Sequence, residues 1–252
     1  MSSEERTTAG LLGAWMVHLF TASGAIFGLL SIQASAEGRF MASLAWMMVT
    51  AAIDGVDGML ARRMKVKTVL PYFDGALLDN MVDYFTFVIV PAYFLLCTEI
   101  VPGPWQLPLA CAMILTSAYQ FSRDDAKTPD HTFTGFPSYW NVAVFYLFLL
   151  GWPQIVNGLI LIVCAANVFV RIRYLYPSRT AFLRPLNLLL GVAWAGMCIA
   201  AFMRYPEGHS WLVYLSFFYL VYYVAVSLWL TARRPGTDCP AGTVPAGDGL
   251  SR

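Results

Sequence analysis

Eight runs of apolar residues, most of them long enough to cross a bilayer, constrain this chain more than any other feature. A transmembrane helix needs about 20 consecutive apolar residues to cross a hydrocarbon core of about 30 Å. The runs are continuous rather than alternating, which favours helices over the strands of a barrel. The sequence therefore predicts an all-α polytopic membrane protein with about eight transmembrane helices. The predicted spans are residues 10–33, 39–61, 75–97, 105–122, 136–151, 153–171, 185–203 and 211–231.

The composition excludes several other classes of protein. Apolar residues make up 58% of the 252 residues and charged residues only 12%, against about 25% charged in an ordinary soluble domain. A net charge of +1 gives no basic surface for nucleic acid, so no nucleic-acid partner is expected. The five cysteines are scattered without CxxC spacing, which argues against a disulfide framework or a zinc site.

The distribution of basic residues predicts the orientation in the membrane. With eight spans both termini lie on one side, and all but Arg39 and Arg204 of the 16 Lys and Arg fall on that side. Because positive residues are retained in the cytoplasm, both termini are expected to be cytoplasmic. Residues 1–233 are then expected to form a single transmembrane domain. The Pro- and Gly-rich residues 234–252 are expected to be a disordered cytoplasmic tail.

Four acidic residues lie within two neighbouring predicted spans. Asp54 and Asp57 are three apart on the second span, and Asp79 and Asp83 are four apart on the third. Each spacing places a pair on one helical face, and the short connection makes the two helices antiparallel neighbours. A carboxylate at membrane depth costs about 2.5–3.5 kcal/mol, so four of them need compensation. Oxygen ligands in this number suit Mg²⁺ or Mn²⁺, with two ions expected.

Two kinds of function remain open for this acidic cluster. A carboxylate relay for the transport of protons or cations is one. The other is a phosphate-bearing ligand held by metal ions, for which Arg62 supplies a guanidinium at the end of the second span. Small residues on the two helices would let such a ligand approach, although they also suit helix packing.

The same residues carry a resemblance to a known family. The pattern D-x2-D-G-x2-A-R, followed after a gap by G-x3-D-x3-D, extends from Asp54 to Asp83 and resembles the signature of the CDP-alcohol phosphotransferases. The gap at residues 63–74 has twelve positions where the family usually has eight. That longer gap resembles the bacterial phosphatidylcholine synthases, and so do segments near Trp15, Thr21 and Trp140. The resemblance covers roughly residues 10–230.

The resemblance implies a function and its site residues. It implies an enzyme of a bacterial inner membrane that condenses CDP-diacylglycerol with choline to phosphatidylcholine and CMP, with its active site toward the cytoplasm. A homodimer is compatible with it. It implies metal binding by Asp54, Asp57 and Asp79, with Asp83 as a further ligand and the general base. It also implies that the CDP group contacts Thr21, Gly58, Ala61, Arg62 and Gly75.

The choline pocket rests on a chemical argument as well as on the resemblance. A quaternary ammonium has no N–H to donate and is best held by aromatic faces. Tyr84, Tyr139 and Trp140 are the candidates, and Asp124, with Asp125, could add attraction. Serine, inositol or glycerol phosphate as acceptor would instead favour cationic or hydrogen-bonding pockets. His18 on the first span is interpreted as a hydrogen-bonded core histidine.

Overall fold

The computed structural model describes residues 8–123, 132–175, 184–207 and 210–232, and these are almost entirely helical. Asp124, Asp125 and the predicted tail at 234–252 lie outside the described residues. The helices are α1 Thr8–Ala36, α2 Phe40–Arg63, α3 Val66–Val69, α4 Gly75–Tyr84, α5 Val90–Cys97, α6 Gly103–Phe121, α7 Trp140–Leu150, α8 Gln154–Asn167, α9 Arg184–Met203 and α10 Ser210–Ala232. The all-α fold class is confirmed.

Within the described residues, five helical segments are long and apolar enough to cross a membrane. They correspond to α1, α2, the continuous helix Gly75–Cys97, α9 and α10. A π-helical turn at Phe85–Ile89 joins α4 to α5 within the third segment. Pro91 has no N–H to donate to the carbonyl of Phe87, which disturbs the helical ladder at this point. Large apolar side chains remain exposed along α9 and α10, as expected for surfaces that face lipid.

The middle of the chain differs from the prediction of full-length spans. The span predicted at 105–122 forms α6, with 19 residues. The spans predicted at 136–151 and 153–171 form α7 and α8, with 11 and 14 residues. A helix of 14 residues is about 21 Å long, which is shorter than the hydrocarbon core of about 30 Å. Turn residues at Gly151-Trp152-Pro153 separate these two helices, because Gly151 adopts a φ of 59°.

A small pair of antiparallel strands is present that the sequence pattern did not indicate. Strand β1, Thr132–Thr134, pairs with β2, Arg173–Leu175. Two side-chain hydroxyls of α10 dock β2: Ser227 accepts from the N–H of Leu175 at 3.0 Å, and Thr231 accepts from that of Arg173 at 2.8 Å. These three-residue strands are too short to show an alternating pattern. They fasten the chain after α8 to the last helix.

The first helix forms the scaffold on which the acidic helices assemble. It packs against α2, α4 and α5, and its glycines allow close approach. A Cβ at Gly24 would lie 3.0 Å from Val82 Cγ1, and one at Gly28 would lie 2.7 Å from a carbon of the Phe85 ring. The GxxxG spacing therefore serves helix packing, as small residues commonly do in membranes. This packing sets the positions of Asp57 and Asp79.

The segment between α2 and α4 is folded rather than loosely looped. Helix α3 buries Val66 and Val69, and Leu70 follows them into a cluster with Ala14 and Val17 of α1. Asp74 then caps α4 by accepting from the N–H groups of Ala76 and Leu77 at 3.1 and 3.0 Å. The long gap of the signature motif thus forms a wall above the acidic helices.

Candidate active site: an acidic cluster below a basic rim

Three of the four predicted metal ligands come together in the structure. Asp54 and Asp57 lie one turn apart on α2, and Asp79 lies one turn into α4. One carboxylate oxygen from each lies within 4.8 Å of the other two. Asp57 is buried, with 4% of its surface exposed, while the other two are partly exposed. The spacing predicted from the sequence therefore produces one compact acidic group.

A buried hydroxyl on the first helix orients this group. Thr21 Oγ1 donates to Asp57 Oδ2 at 2.9 Å, and both side chains are buried. The bond uses one acceptor position of Asp57 Oδ2 and fixes the rotation of the Asp57 side chain. A hydrogen bond to a charged group contributes about 1.5–3 kcal/mol. Thr21 therefore acts on the acidic group directly, and it also lines the cavity described next.

The acidic group fits a hard divalent cation. Two oxygens on opposite sides of one Mg²⁺ ion lie about 4 Å apart, and the three carboxylate oxygens are within 4.8 Å of each other. Three ionised carboxylates at such separations repel each other strongly in a medium of low dielectric constant. A bound cation relieves that repulsion. The donor set consists of oxygen atoms, which Mg²⁺ and Mn²⁺ prefer.

A cavity of about 660 Å³ opens above the acidic group. Asp57 and Asp79 lie among its lining residues, and three basic residues, Arg62, Lys65 and Lys67, line it as well. Arg62 lies in the last turn of α2, and Lys65 and Lys67 follow that helix. All three are exposed and together form the basic rim of the cavity. Such an arrangement of metal-binding carboxylates next to guanidinium and ammonium groups suits a ligand with several phosphate oxygens.

Small residues of the motif keep the cavity open. Gly58, Ala61 and Gly75 all line it. A Cβ at Gly58 would lie 3.2 Å from Arg62 Nη1, so the missing side chain lets the guanidinium fold back over α2. A Cβ at Gly75 would lie 2.5 Å from His18 Cε1. The structure thus brings together at one cavity all five residues predicted to contact CDP, namely Thr21, Gly58, Ala61, Arg62 and Gly75.

The surroundings of His18 differ from those predicted, which were the surroundings of a hydrogen-bonded core histidine. Its side chain is 7% exposed and lines the cavity. Its buried Nε2 atom has no hydrogen-bond partner among the residues that the structure describes. A buried polar atom left without a partner costs about 1–3 kcal/mol. The sequence does carry a signal for a place of His18 at the site, because His18 is three residues before Thr21 and shares its helical face.

Asp83 is not a member of the group of three carboxylates. It lies four residues beyond Asp79 on α4 and is partly buried. Four residues of helix correspond to a rise of about 6 Å, so both carboxylates share a face at different depths. This separation is consistent with different roles for the two residues.

The structure places three of the predicted choline residues, Tyr84, Tyr139 and Trp140, outside the lining of this cavity. The Tyr84 hydroxyl donates to the carbonyl of Ile114 at 3.0 Å. Trp140 is fully buried, and its Nε1 donates to Ser117 Oγ at 2.7 Å. The ring of Tyr139 packs 6.1 Å from that of Phe87. Asp124 lies outside the described residues. These assignments remain predictions.

Comparison with known proteins gives the class to which this fold and site belong. A sequence model of the CDP-alcohol phosphatidyltransferase family matches residues 14–173, a range that contains the whole acidic group and all of the cavity lining. The chain belongs to this family. It is therefore a transferase of a bacterial membrane with a phosphatidyltransferase role, and enzymes of this class generally use divalent metal ions.

Within the family, the chain resembles one kind of enzyme along most of its length. It is 43% identical over 225 residues to the phosphatidylcholine synthase of Legionella pneumophila, which covers 86% of this chain and 88% of that protein. It is 35% identical over 200 residues to the phosphatidylcholine synthase of Rhizobium meliloti, with 79% and 83% covered. It is 34% identical over 221 residues to that of Pseudomonas aeruginosa, with 88% and 93% covered.

Proposed function

We propose that this protein transfers the phosphatidyl group of CDP-diacylglycerol to choline, which yields phosphatidylcholine and CMP. The observation that carries the proposal is the group of three carboxylates in a cavity with a basic rim, in a chain similar to several phosphatidylcholine synthases over most of its length. Metal-binding carboxylates next to basic residues suit the diphosphate of the nucleotide substrate.

Asp54, Asp57 and Asp79 would hold Mg²⁺ or Mn²⁺, and we propose two ions. Bound ions would draw charge from the diphosphate and stabilise the leaving CMP. Thr21 holds the Asp57 carboxylate in place through its 2.9 Å hydrogen bond. Arg62 lies over Gly58 on the same helix and would bind the diphosphate from the side of the rim. The small residues Ala61 and Gly75 leave room for the nucleotide.

Asp83 is the proposed general base. Its carboxylate accepts the proton of the choline hydroxyl while the choline oxygen attacks the phosphorus attached to diacylglycerol. The new oxygen–phosphorus bond forms as the bond from that phosphorus to the CMP oxygen breaks, so the electron pair leaves with CMP. The position of Asp83, one helical turn after Asp79 on α4, suits an acceptor that enters beside the metal site.

The choline acceptor would be selected by aromatic faces, with Tyr84, Tyr139 and Trp140 as candidates and Asp124 as an added attraction. The same chemistry with serine, inositol or glycerol phosphate is the alternative for the acceptor. A carboxylate relay for cation transport is disfavoured because the basic residues Arg62, Lys65 and Lys67 at the cavity suit a phosphate-bearing ligand better than a bare cation.

The membrane arrangement that fits this function has eight spans and cytoplasmic termini. In the bacterial inner membrane, this orientation places the end of α2 that carries Arg62, and hence the cavity, on the cytoplasmic side. Residues 1–233 would form one catalytic domain, followed by a cytoplasmic tail at 234–252. Choline and CMP are water-soluble and CDP-diacylglycerol is a lipid, so a site near the cytoplasmic surface reaches all three. A homodimer is compatible with this arrangement.

The proposal is tested with purified protein, labelled choline, CDP-diacylglycerol and Mn²⁺, with the lipid product separated by chromatography. We expect labelled phosphatidylcholine, and loss of it in excess EDTA. Asp57→Asn should abolish transfer because it removes a ligand charge without a large change in volume. Glu99→Gln is the matched control, because Glu99 is an exposed acid in the loop after α5. Full activity of Asp57→Asn or with EDTA would reject the metal-dependent chemistry, and preference for another alcohol would reject choline.

A further inference from the structure

His18 occupies a position in the cavity that the proposed chemistry has not used. It lies on α1 one turn before Thr21, so the two side chains share the face that lines the cavity. Two neighbours restrict the imidazole. It packs closely over Gly75, where an added Cβ would lie only 2.5 Å from its Cε1 atom, and its ring centroid is 4.4 Å from that of Phe73. His18 is therefore held in one orientation by its neighbours.

The hydrogen bonding of this histidine is incomplete. Its side chain is more than nine-tenths buried, and the Nε2 atom has no partner among the described residues. Buried polar atoms are nearly always paired, and the exceptions need an explanation. Since His18 lines the cavity, a ligand that fills the cavity can supply the missing partner with small movements of the surrounding side chains.

The residues that line the cavity indicate which part of the ligand could be the partner of the His18 Nε2 atom. Asp57 comes first, then Gly58, Ala61 and Arg62, and all four line the cavity. With the diphosphate placed at the carboxylates and Arg62, the part of the cavity lined by His18, Phe73 and Gly75 would be left for the nucleoside. A nucleobase has both a polar edge and a flat face, which suit an imidazole nitrogen and aromatic rings. The trimethylammonium group of choline has no N–H, and diacylglycerol is largely apolar.

We propose that His18 recognises the cytosine of the nucleotide substrate through its Nε2 atom and is a specificity-determining residue of this site. The inference rests on the proposed function for the identity of the nucleotide. Gly75 then has a second role beyond leaving room for the ligand. Its missing side chain lets the imidazole approach α4 and hold its position at the edge of the base.

Binding of nucleotides with and without a base tests this proposal. CMP and ribose 5-phosphate share the sugar and the phosphate, but ribose 5-phosphate has a hydroxyl where CMP has cytosine. Each is measured as an inhibitor against CDP-diacylglycerol. For His18→Ala we expect the inhibition constant of CMP to rise roughly 2- to 13-fold, the range of one neutral hydrogen bond. The constant for ribose 5-phosphate and the choline KM should not change. Wild-type protein should bind CMP more tightly than UMP, and His18→Ala should narrow that difference.

Two further variants separate recognition from packing. His18→Phe keeps an aromatic ring against Phe73 without a polar atom and should behave as His18→Ala does. His18→Gln keeps a hydrogen-bonding group and should restore part of the CMP affinity. An equal rise for CMP and ribose 5-phosphate, or unchanged CMP binding in His18→Ala, would overturn the proposal. Equilibrium dialysis of labelled CMP with the purified protein gives the same comparison if no phosphatidylcholine forms, so failure of the proposed function remains distinguishable.

Discussion

Replacing Thr21 by valine should weaken metal binding without disturbing the fold. Valine has nearly the volume of threonine but no hydroxyl, so the change removes the 2.9 Å bond to Asp57 and little else. Both side chains are buried, with 7% and 4% of their surfaces exposed, so water cannot readily replace the lost donor. A hydrogen bond to a charged acceptor contributes about 1.5–3 kcal/mol.

That free energy sets the size of the expected effect. If the whole of this free energy serves to hold Asp57 in position for the cation, the Mn²⁺ concentration for half-maximal activity should rise roughly 13- to 160-fold. The assay is the initial rate of phosphatidylcholine formation against free Mn²⁺, supported by calorimetric titration of the purified protein with Mn²⁺. Activity at saturating Mn²⁺ should recover substantially, because the carboxylates themselves are intact.

Thr21→Ser is the matched control, because serine keeps the hydroxyl and loses only a methyl group. It should retain a metal dependence close to that of the wild type. An unchanged metal dependence of Thr21→Val would refute the role of the hydrogen bond in metal binding. A serine variant as impaired as the valine variant would show that packing of the methyl group, not the hydroxyl, is what matters at this position.

Three other perturbations follow from the structure and the sequence. Gly75→Ala places a methyl group 2.5 Å from the imidazole of His18, so overpacking of about 1–3 kcal/mol should raise the KM for CDP-diacylglycerol roughly 5- to 150-fold; the rise should be smaller when His18 is also alanine. A reporter fused after residue 234 should be cytoplasmic, and one inserted near Pro104 should face outward. Alanine in place of each predicted choline-binding aromatic residue should raise the choline KM roughly 2- to 30-fold without changing that for CDP-diacylglycerol.

Each of these expectations has a contrary result. Additive effects of Gly75→Ala and His18→Ala would show that the two positions do not interact. Reporters with the opposite orientation would reject the eight-span arrangement and move the cavity to the other side of the membrane. If none of the three aromatic substitutions changes the choline KM, the proposed aromatic pocket is wrong, even if the protein makes phosphatidylcholine.

The pattern of apolar residues predicted the helices well at both ends of the chain and less well in the middle. Residues 8–36, 40–63 and 75–97 form helices of membrane length close to the predicted spans, and so do the last two. The segments of α7 and α8 are apolar enough to resemble spans, but α7 begins four residues after the predicted start at 136 and α8 ends at Asn167, four residues before the predicted end at 171. Hydropathy records only how apolar a segment is, and a short buried helix has the same composition as a membrane-crossing one.

The site residues show the same contrast: the sequence predicted relations within one helix well and contacts between helices less well. Asp54 and Asp57 meet because three residues of helix return the chain to one face. Asp79 and Asp83 also share a face, but their different depths leave Asp83 outside the group of three. Tyr84, the next residue along the helix, is rotated by about 100° from that face and donates to Ile114 of α6. The spacing of residues along one helix therefore predicts reliably which face their side chains share, but it predicts poorly how far those side chains lie from other helices.

The sequence by itself determined the helical membrane class, the acidic pairs and the basic end of the second helix. These depend on residues close together in the chain, whose geometry the helix fixes. Only the tertiary structure decided that Thr21 bonds to Asp57, 36 residues away. It also decided that His18 lies against Gly75, with an Nε2 atom that has no hydrogen-bond partner in the described part of the chain. Those contacts depend on how closely α1 approaches its neighbours, which is set by packing of many side chains together and not by any single pattern.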